Sequence, residues 1–180
     1  GLAQVNVVLS IFFAGISGSS TADAASQGKI FIEAQVKEGY DVSFSVAITA
    51  VSAVLAVIIP PSILMIVWGG VLTVSIGALM LAGIIPGLML AGLLMLVTWA
   101  VAKKRNYPRM AKASFKEMLL AFRESVWGLF LIVVVIGGIY SGMFTPTEAA
   151  AMSAVYAFFV SVFVYKDLTL KQVPKVLLDS

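Results

Sequence analysis

Gly15-Ile16-Ser17-Gly18-Ser19-Ser20-Thr21-Ala22-Asp23 is a polar segment within an otherwise strongly apolar sequence. It places hydroxyl groups, two glycines and a carboxylate between segments that are apolar enough to lie in lipid. Polar groups at membrane depth cost free energy unless they have a partner or a task. The stretch therefore predicts the tip of a re-entrant helical hairpin that handles an ion and a substrate.

The composition around this stretch indicates an all-α integral membrane protein with several spans. Hydrophobic residues make up 61% of the 180 residues, charged residues make up 12%, and the mean hydropathy is +1.04. Several apolar segments approach or exceed the ~20 residues that cross a bilayer. The sequence contains no cysteine and no histidine, which excludes disulfides, thiolate metal sites and imidazole chemistry. We therefore expect a protein of the lipid bilayer with no enzyme activity, no cofactor and no nucleic-acid partner.

Two short helical arms are predicted on either side of the tip, within residues 1–36. The first arm is too short to span a bilayer before the polar stretch begins. Gly15 and Gly18 permit a turn, and Ser20 and Asp23 have the spacing of a capping box at the start of the second arm. The two arms together predict a hairpin that enters and leaves the membrane by the same face.

A second break interrupts the apolar segment over residues 42–76. Pro60 and Pro61 each remove an N–H donor, so the carbonyls of Ala56 and Val57 lose their helical partners. Unpaired carbonyls inside a membrane are suitable cation ligands, and many secondary transporters hold coupling ions at discontinuous helices. A simple kink, or a loop between two short helices, is the alternative.

Three further spans follow. Residues 77–102 contain the longest apolar run, in which Pro86 is expected to kink the helix. Residues 125–165 predict two spans, and the second starts at Thr145-Pro146-Thr147-Glu148, where threonine, proline and glutamate occupy the positions of a helix start. Residues 166–180 are expected to begin the next cytoplasmic segment.

Residues 103–124 predict a basic loop on the cytoplasmic side. Seven of the twelve basic residues lie between Lys103 and Arg123, and the positive-inside rule places such a loop in the cytoplasm. Apolar residues at helical spacing after Ser114 predict an amphipathic helix on the inner surface within this loop. Counting spans back from the loop also anchors both hairpin arms at the cytoplasmic face.

Four motifs, in the same order, resemble those of a known family across nearly the whole chain. They are Phe13-Ala14-Gly15-Ile16-Ser17-Gly18-Ser19-Ser20-Thr21-Ala22-Asp23, Ile58-Ile59-Pro60-Pro61-Ser62-Ile63, Ala82-Gly83-Ile84-Ile85-Pro86-Gly87 and Gly142-Met143-Phe144-Thr145-Pro146-Thr147-Glu148-Ala149-Ala150-Ala151. The chain resembles the large membrane subunit of tripartite ATP-independent periplasmic (TRAP) transporters, the DctM-like permeases. Because the sequence opens without methionine, in apolar residues, we expect it to be an internal part of a longer protein.

The resemblance implies an elevator-type secondary transporter with inverted repeats, which uses a sodium gradient to import carboxylates such as C4-dicarboxylates or sialic acid. It implies two partners, a small membrane subunit (DctQ-like) and a periplasmic substrate-binding protein (DctP-like), at a bacterial inner membrane. It also implies a sodium site lined by the tip and the broken helix, at Ser17, Gly18, Ser19, Ser20, Ala56, Val57, Pro60 and Ser62. The second arm begins with N–H groups that favour a carboxylate, so a substrate site is expected at Ser19, Ser20, Thr21 and Asp23. Asp23 could instead support the ion site or simply cap its helix.

Two other classes of function stay open on the residues alone. Another family of ion-coupled secondary transporters could use the same hairpin and broken helix. A non-transporting scaffold subunit would bury the polar tip for structural reasons only, with the serines bonded to nearby carbonyls and Asp23 capping its helix. Replacing Ser19 and Asp23 without loss of function would favour the scaffold.

Overall fold

Helices account for the regular structure of the computed structural model, which describes residues 1–108, 114–169, 172–174 and 176. The helices are α1 (Leu2–Ser17), α2 (Ser20–Lys37), α3 (Val42–Ala53), α4 (Leu55–Ile58), α5 (Ile63–Val71), α6 (Ile76–Lys104), α7 (Phe115–Tyr140) and α8 (Pro146–Phe159), which continues as a π-helix over Val160–Val164. The described residues contain no strand. The prediction of an all-α protein is confirmed.

Four segments are long and apolar enough to cross a membrane. They are Val42–Val71, Ile76–Lys104, Phe115–Tyr140 and Pro146–Val164. Helix α1 is apolar but has only 16 residues, about 24 Å at 1.5 Å per residue, whereas a hydrocarbon core is about 30 Å thick. The chain therefore has the helices of a multi-pass membrane protein, and the re-entrant course of α1 and α2 stays a prediction.

Residues 1–118 form one compact unit, in which α1 and α2 pack against each other and against α3 and α4. Its apolar core consists of Val7, Ile48, Leu55 and Ala91, contributed by four different helices. The long helix α6 packs beside α1, α4 and α5, and Pro86 lies within it without ending it. The core thus holds the hairpin, the broken helix and α6 together.

The loop before α3 fixes the base of the hairpin. Tyr40 is buried and its ring lies 4.5 Å from that of Tyr107, centroid to centroid. Burial raises the pKa of Tyr40 above its ordinary value, so the phenol is neutral at pH 7. Beside it, Arg105 forms an exposed ion pair with Asp41 at 2.9 Å. The end of α6 is therefore tied to the turn between α2 and α3.

The described residues from Leu119 onward form the second unit. Residues 170, 171, 175 and 177–180 of the predicted cytoplasmic segment 166–180 lie outside the described residues. Leu131, Val135 and Ala149 are its buried apolar cluster, and the Tyr156 hydroxyl donates to the Trp127 carbonyl at 2.8 Å. The predicted start of α8 is confirmed, because Thr145 and Glu148 form a complete capping box with Pro146 at the first turn.

The amphipathic segment predicted as a separate helix in the 103–124 loop is the first part of α7. The Ser114 hydroxyl accepts from the Glu117 N–H at 3.3 Å and so caps this helix. Neither proline nor glycine occurs from Phe115 to Trp127, so no residue there breaks the helix before the span. Residues 109–113 of the predicted loop lie outside the described residues.

The segment predicted as one broken helix over residues 42–76 contains two interruptions. The first, at Val54, is not predicted. The Val54 N–H bonds to the Val51 carbonyl and the Val57 N–H to the Val54 carbonyl, which is the tighter pattern of a 3₁₀ turn. The second interruption is the predicted one at Pro60 and Pro61.

Candidate functional site

The hairpin tip is built from a glycine stop followed by a serine start. Gly18 ends α1 in the left-handed conformation, with φ of 61°, which glycine adopts at little cost. The Ser19 hydroxyl then caps α2 by accepting from the Ala22 N–H at 3.4 Å. The prediction that Ser20 caps this helix is wrong by one residue, and Gly15 lies inside α1 rather than in the turn.

Asp23 lies beneath the tip with no exposed surface. One oxygen of its carboxylate accepts a hydrogen bond from the Ser17 hydroxyl, and its other oxygen, Oδ2, has no partner among the described residues. The Ser17 hydroxyl oxygen also accepts from the Ser19 N–H at 3.2 Å. Asp23 therefore links the end of α1 to the start of α2, and it does not act as the cap that its spacing suggests.

Ser62 organises the break in the second apolar segment. It is fully buried, its hydroxyl donates to the Val57 carbonyl at 2.6 Å, and it accepts from the Met65 N–H at 3.4 Å. The Ser62 side chain therefore caps α5. It also donates to the Val57 carbonyl the hydrogen bond that Pro61, which has no N–H, cannot donate. Of the two carbonyls predicted to be unpaired, that of Val57 is thus bonded within the break itself.

The two breaks lie against each other. The Ile63 N–H, at the start of α5, donates to the Gly18 carbonyl at the end of α1, with an N to O distance of 3.2 Å. A Cβ atom added at Gly18 would lie 2.5 Å from the Pro61 carbonyl oxygen, so only glycine allows this approach. The structure thus brings together two stretches that are more than forty residues apart in the sequence.

Two glycines on α6 pack against the break at Pro60-Pro61, on the side away from the hairpin tip. Gly83 and Gly87 are both buried, and a Cβ atom at Gly87 would lie 2.6 Å from the Cγ1 atom of Ile59. A Cβ atom at Gly83 would meet the Ile58 carbonyl and Met65. The break is therefore packed between the hairpin tip and α6.

The predicted site residues differ in burial. Among the residues predicted to hold sodium, Gly18, Ala56, Pro60 and Ser62 are buried and Ser17, Ser19, Ser20 and Val57 are partly buried. Among those predicted to contact substrate, Thr21 is exposed, Ser19 and Ser20 are partly exposed and Asp23 is fully buried. The Thr21 hydroxyl lies 3.1 Å from that of Ser19. The tip thus offers one open side at Thr21 and one closed side at Asp23.

The sequence analysis missed a row of buried polar side chains below the tip. The buried face of α2 consists of four residues spaced four apart, Asp23, Gln27, Phe31 and Gln35, and all of them except Phe31 are polar. The opposing helices contribute Asn6 and Ser10 from α1 and Ser45, Thr49 and Ser52 from α3. The spacing of the polar residues on α2 is the signal that could have revealed this face.

Hydrogen bonds connect most of this row, which we term the polar seam: Asn6, Ser10, Asp23, Gln27, Gln35, Ser45 and Thr49. The Ser10 hydroxyl lies 3.0 Å from both the Gln27 side-chain oxygen and the Asn6 carbonyl. The Asn6 amide donates to the Thr49 hydroxyl at 2.7 Å, and Thr49 donates to the Ser45 carbonyl at 2.8 Å. The hairpin is thus joined to α3 by polar contacts as well as by apolar packing.

The chemistry available at the tip suits a small cation on one side and an anion on the other. Hydroxyl and carbonyl oxygens with a nearby carboxylate are the ligands that hard cations prefer. The carboxyl end of α1 carries partial negative charge, and the amino end of α2 carries partial positive charge. Both helix ends lie within the stretch 17–20, where α1 stops and α2 starts.

These features define the class of protein: an all-helical, multi-pass membrane protein with polar residues at two helix breaks. The comparison with known families identifies the particular one. The model of the tripartite ATP-independent periplasmic transporter, DctM component, matches residues 1–180, and the chain belongs to this family. The family resemblance drawn from the four motifs is confirmed.

Curated relatives support the assignment. The chain is 51% identical to the C4-dicarboxylate TRAP transporter large permease protein DctM of Rhodobacter capsulatus, over 100% of the chain and 44% of that protein. It is 42% identical to the sialic acid TRAP transporter permease protein SiaT of Haemophilus influenzae (strain 86-028NP), over 95% of the chain and 28% of that protein. It is 40% identical to the 2,3-diketo-L-gulonate TRAP transporter large permease protein YiaN of Escherichia coli (strain K12), over 94% of the chain and 40% of that protein.

These names have two consequences. The relatives are transporter permeases, so the role of the chain is not enzymatic, as predicted. The chain spans less than half of the length of each of these relatives. The structure therefore describes one part of a transport system.

Proposed function

We propose that this chain forms part of the large membrane subunit of a secondary transporter that imports a carboxylate solute with a sodium gradient. The observation that carries the proposal is the contact between Gly18 at the hairpin tip and the break at Pro61 to Ile63. Two interrupted helices that meet at their ends concentrate backbone dipoles and hydroxyl groups at one place, which is a design that secondary transporters use for coupling ions.

The sodium ligands in this proposal come from both breaks. They are oxygens of Ser17, Gly18, Ser19 and Ser20 at the tip, together with the segment around Ala56, Val57, Pro60 and Ser62. Oxygens at these positions already bond to neighbouring groups, for example Gly18 to Ile63 and Val57 to Ser62. A carbonyl oxygen has two lone pairs, so it can accept a hydrogen bond and contact a cation at once.

Asp23 is assigned to the cation rather than to the solute. Its carboxylate is buried beside Ser17 and one of its oxygens has no partner among the described residues. A negative carboxylate repels a carboxylate solute but stabilises a cation near it. The exposed side of the tip, at Ser19, Ser20 and Thr21, is the side proposed to contact the solute through the N–H groups of α2.

The solute class follows from the relatives. Their names give C4-dicarboxylate, sialic acid and 2,3-diketo-L-gulonate as cargo, and all three are carboxylates. We propose the same class here, delivered by a periplasmic binding protein and taken up with the help of a small membrane subunit in a bacterial inner membrane. Residues 103–124 would face the cytoplasm because of their positive charge.

Uptake into proteoliposomes tests the proposal. A full-length permease carrying this sequence would be reconstituted with its small subunit and binding protein, and entry of labelled C4-dicarboxylate or sialic acid would be followed with and without an inward sodium gradient. We expect entry only with sodium and only with the binding protein. Equal uptake without sodium would contradict the proposed coupling.

Single substitutions in the same assay test the site. Ser19→Ala is expected to raise the sodium concentration for half-maximal uptake by about tenfold, because a lost contact to a charged group costs about 1.5–3 kcal/mol and each 1.4 kcal/mol is a factor of ten. Pro61→Ala is expected to raise it as well, because it restores an N–H that can bond to the Val57 carbonyl and close the break. Ser26→Ala is the matched control, since its exposed hydroxyl bonds only within α2, to the Ala22 and Asp23 carbonyls. If both site variants respond to sodium as the parent does, the family assignment stands and these site residues do not.

A further inference from the structure

The buried face of α2 contains more polar groups than its neighbours satisfy. Asp23, Gln27 and Gln35 are at most 1% exposed, and Phe31, between the two glutamines, is 8% exposed. This face packs against α1 and α3. In a membrane protein a buried polar side chain without a partner is costly, because lipid offers no hydrogen bonds in exchange.

The groups without partners are defined atom by atom. Ser10 contacts the side-chain oxygen of Gln27, and the Asn6 amide nitrogen donates to Thr49. Apart from Asp23 Oδ2, which belongs to the proposed sodium site, this leaves the side-chain oxygen of Asn6, the side-chain nitrogen of Gln27 and both polar atoms of Gln35 without a partner among the described residues. The Ser10 hydroxyl lies 3.0 Å from both the Asn6 main-chain carbonyl and the Gln27 side-chain oxygen, so the side chains of Asn6 and Gln27 are neighbours around this one hydroxyl group.

The mixture of donors and acceptors identifies the ligand. A cation would satisfy the Asn6 oxygen but would be repelled by the donor nitrogen of Gln27, and an anion would do the reverse. Water donates and accepts, and ordered water inside proteins makes about three hydrogen bonds to groups of this kind. Neither a cation nor an anion can satisfy both ends of Gln35 at once, whereas water can.

We propose that the interior between α1, α2 and α3 is a water-binding site. One water bridges the side-chain oxygen of Asn6 and the side-chain nitrogen of Gln27. Further water binds to the side-chain amide of Gln35. Phe31 lies between the two on the same face. Gln27 lies one helical turn from Asp23 of the proposed sodium site, on the side away from the tip, and the presence of water here does not depend on transport.

X-ray footprinting tests the site directly. The beam generates hydroxyl radicals from water that is bound inside a protein, and the radicals oxidise side chains next to that water, which mass spectrometry then locates. Phe31 is the reporter. Met80, on α6, is the internal control, because it is 1% exposed and methionine is the more reactive side chain. We expect oxidation of Phe31 several-fold faster than that of Met80 in the unmodified full-length protein, and an equal or slower rate at Phe31 would overturn the proposal.

A matched pair of variants separates bound water from bulk water. Asn6→Leu with Gln27→Leu removes both ligands of the bridging water and is expected to lower Phe31 oxidation several-fold. Thr98→Val is the control, because it replaces another buried hydroxyl without a partner, on α6, and should leave Phe31 oxidation unchanged. Unchanged oxidation in the double variant would also overturn the proposal, and the comparison within the unmodified protein stands even if that variant does not fold.

Discussion

The helix breaks at Gly18 and at Pro60-Pro61 start the following helix in the same way but end the preceding helix differently. Ser19 and Ser62 each cap the next helix by accepting from the N–H three residues on, both at 3.4 Å. The first helix ends at Gly18 in a left-handed conformation, whereas the second ends before Pro60 and Pro61. A glycine stop keeps every backbone donor, while the proline stop removes two.

Burial adds a second difference between the breaks. Ser62 is fully buried and bonds on both sides of the prolines, whereas Ser19 is partly exposed at the open side of the tip. The same residue type thus serves mainly the fold in one break and is available to a ligand in the other. Substitutions at each break can separate these roles.

Gly18→Ala is expected to have the largest effect. A left-handed conformation costs a residue with a Cβ atom about 1–2 kcal/mol, and here the new atom would also lie 2.5 Å from the Pro61 oxygen. We expect a clear loss of thermal stability in detergent and loss of uptake.

Gly28→Ala is the control for this change. Gly28 lies within α2, where an added Cβ would be 3.7 Å from the nearest atom outside the helix backbone, the Cδ1 atom of Ile32. Alanine favours a helix over glycine by up to about 1 kcal/mol, so we expect unchanged or slightly raised stability. Similar losses in both variants would show that the tip has no special conformation.

Ser62→Ala is expected to rank second. Loss of a helix cap costs about 0.5–2 kcal/mol, and leaving the Val57 carbonyl without its partner adds about 1–3 kcal/mol. The melting temperature in detergent should fall accordingly. Ser75→Ala, at the exposed cap of α6, should cost only about 0.5–1 kcal/mol, because water replaces the lost bond to Ala78. Equal losses at Ser62 and Ser75 would refute the double role of Ser62.

Ser19→Ala should destabilise the protein less than Ser62→Ala does. Its cap is partly exposed, so we expect a loss of about 0.5–1 kcal/mol of stability. The sodium requirement for uptake should nevertheless rise, as proposed above. Thermal unfolding and uptake measured on the same preparation check this separation. A large stability loss without a change in sodium dependence would make Ser19 a structural residue only.

Asp41→Asn is expected to have the smallest effect. Asp41 stands at the cap position of α3 but bonds to Arg105 instead of to its own helix. Both side chains of this ion pair are about half exposed, and exposed pairs contribute little to stability. We expect no resolvable change in melting temperature. A marked decrease would show that Asp41 stabilises the start of α3 as much as a serine cap stabilises the other helices.

Both breaks can be predicted from the sequence because glycine and proline act locally. The residue that caps α2 is harder to predict. Three hydroxyl residues follow Gly18, and the spacing of Ser20 and Asp23 favours Ser20, but Asp23 bonds to Ser17 and leaves Ser19 as the cap. Whether Ser19 or Ser20 caps α2 depends on how α1 and α2 contact each other. Residue spacing within one segment carries no information about that contact.

The polar seam shows the same limit. The spacing of Asp23, Gln27 and Gln35 is visible in the sequence, but polar side chains on one helix face ordinarily indicate a solvated face. Their burial depends on Asn6, Ser10 and Thr49 from two other helices. The start of α8 needs no such contact, since Thr145 and Glu148 lie within one turn of each other, and it was therefore predictable in full.

The hydrogen bond from Ile63 to Gly18 has an electrostatic consequence. It joins the negative end of α1 to the positive end of α5, so the two partial charges largely cancel at the junction. An ion held there would gain little from the α1 dipole and would depend on the nearby Asp23 carboxylate and on direct contact with oxygen atoms. We expect the sodium affinity of the proposed site to change little with the ionic strength of an inert salt, because screening acts on distant charges and much less on contacts.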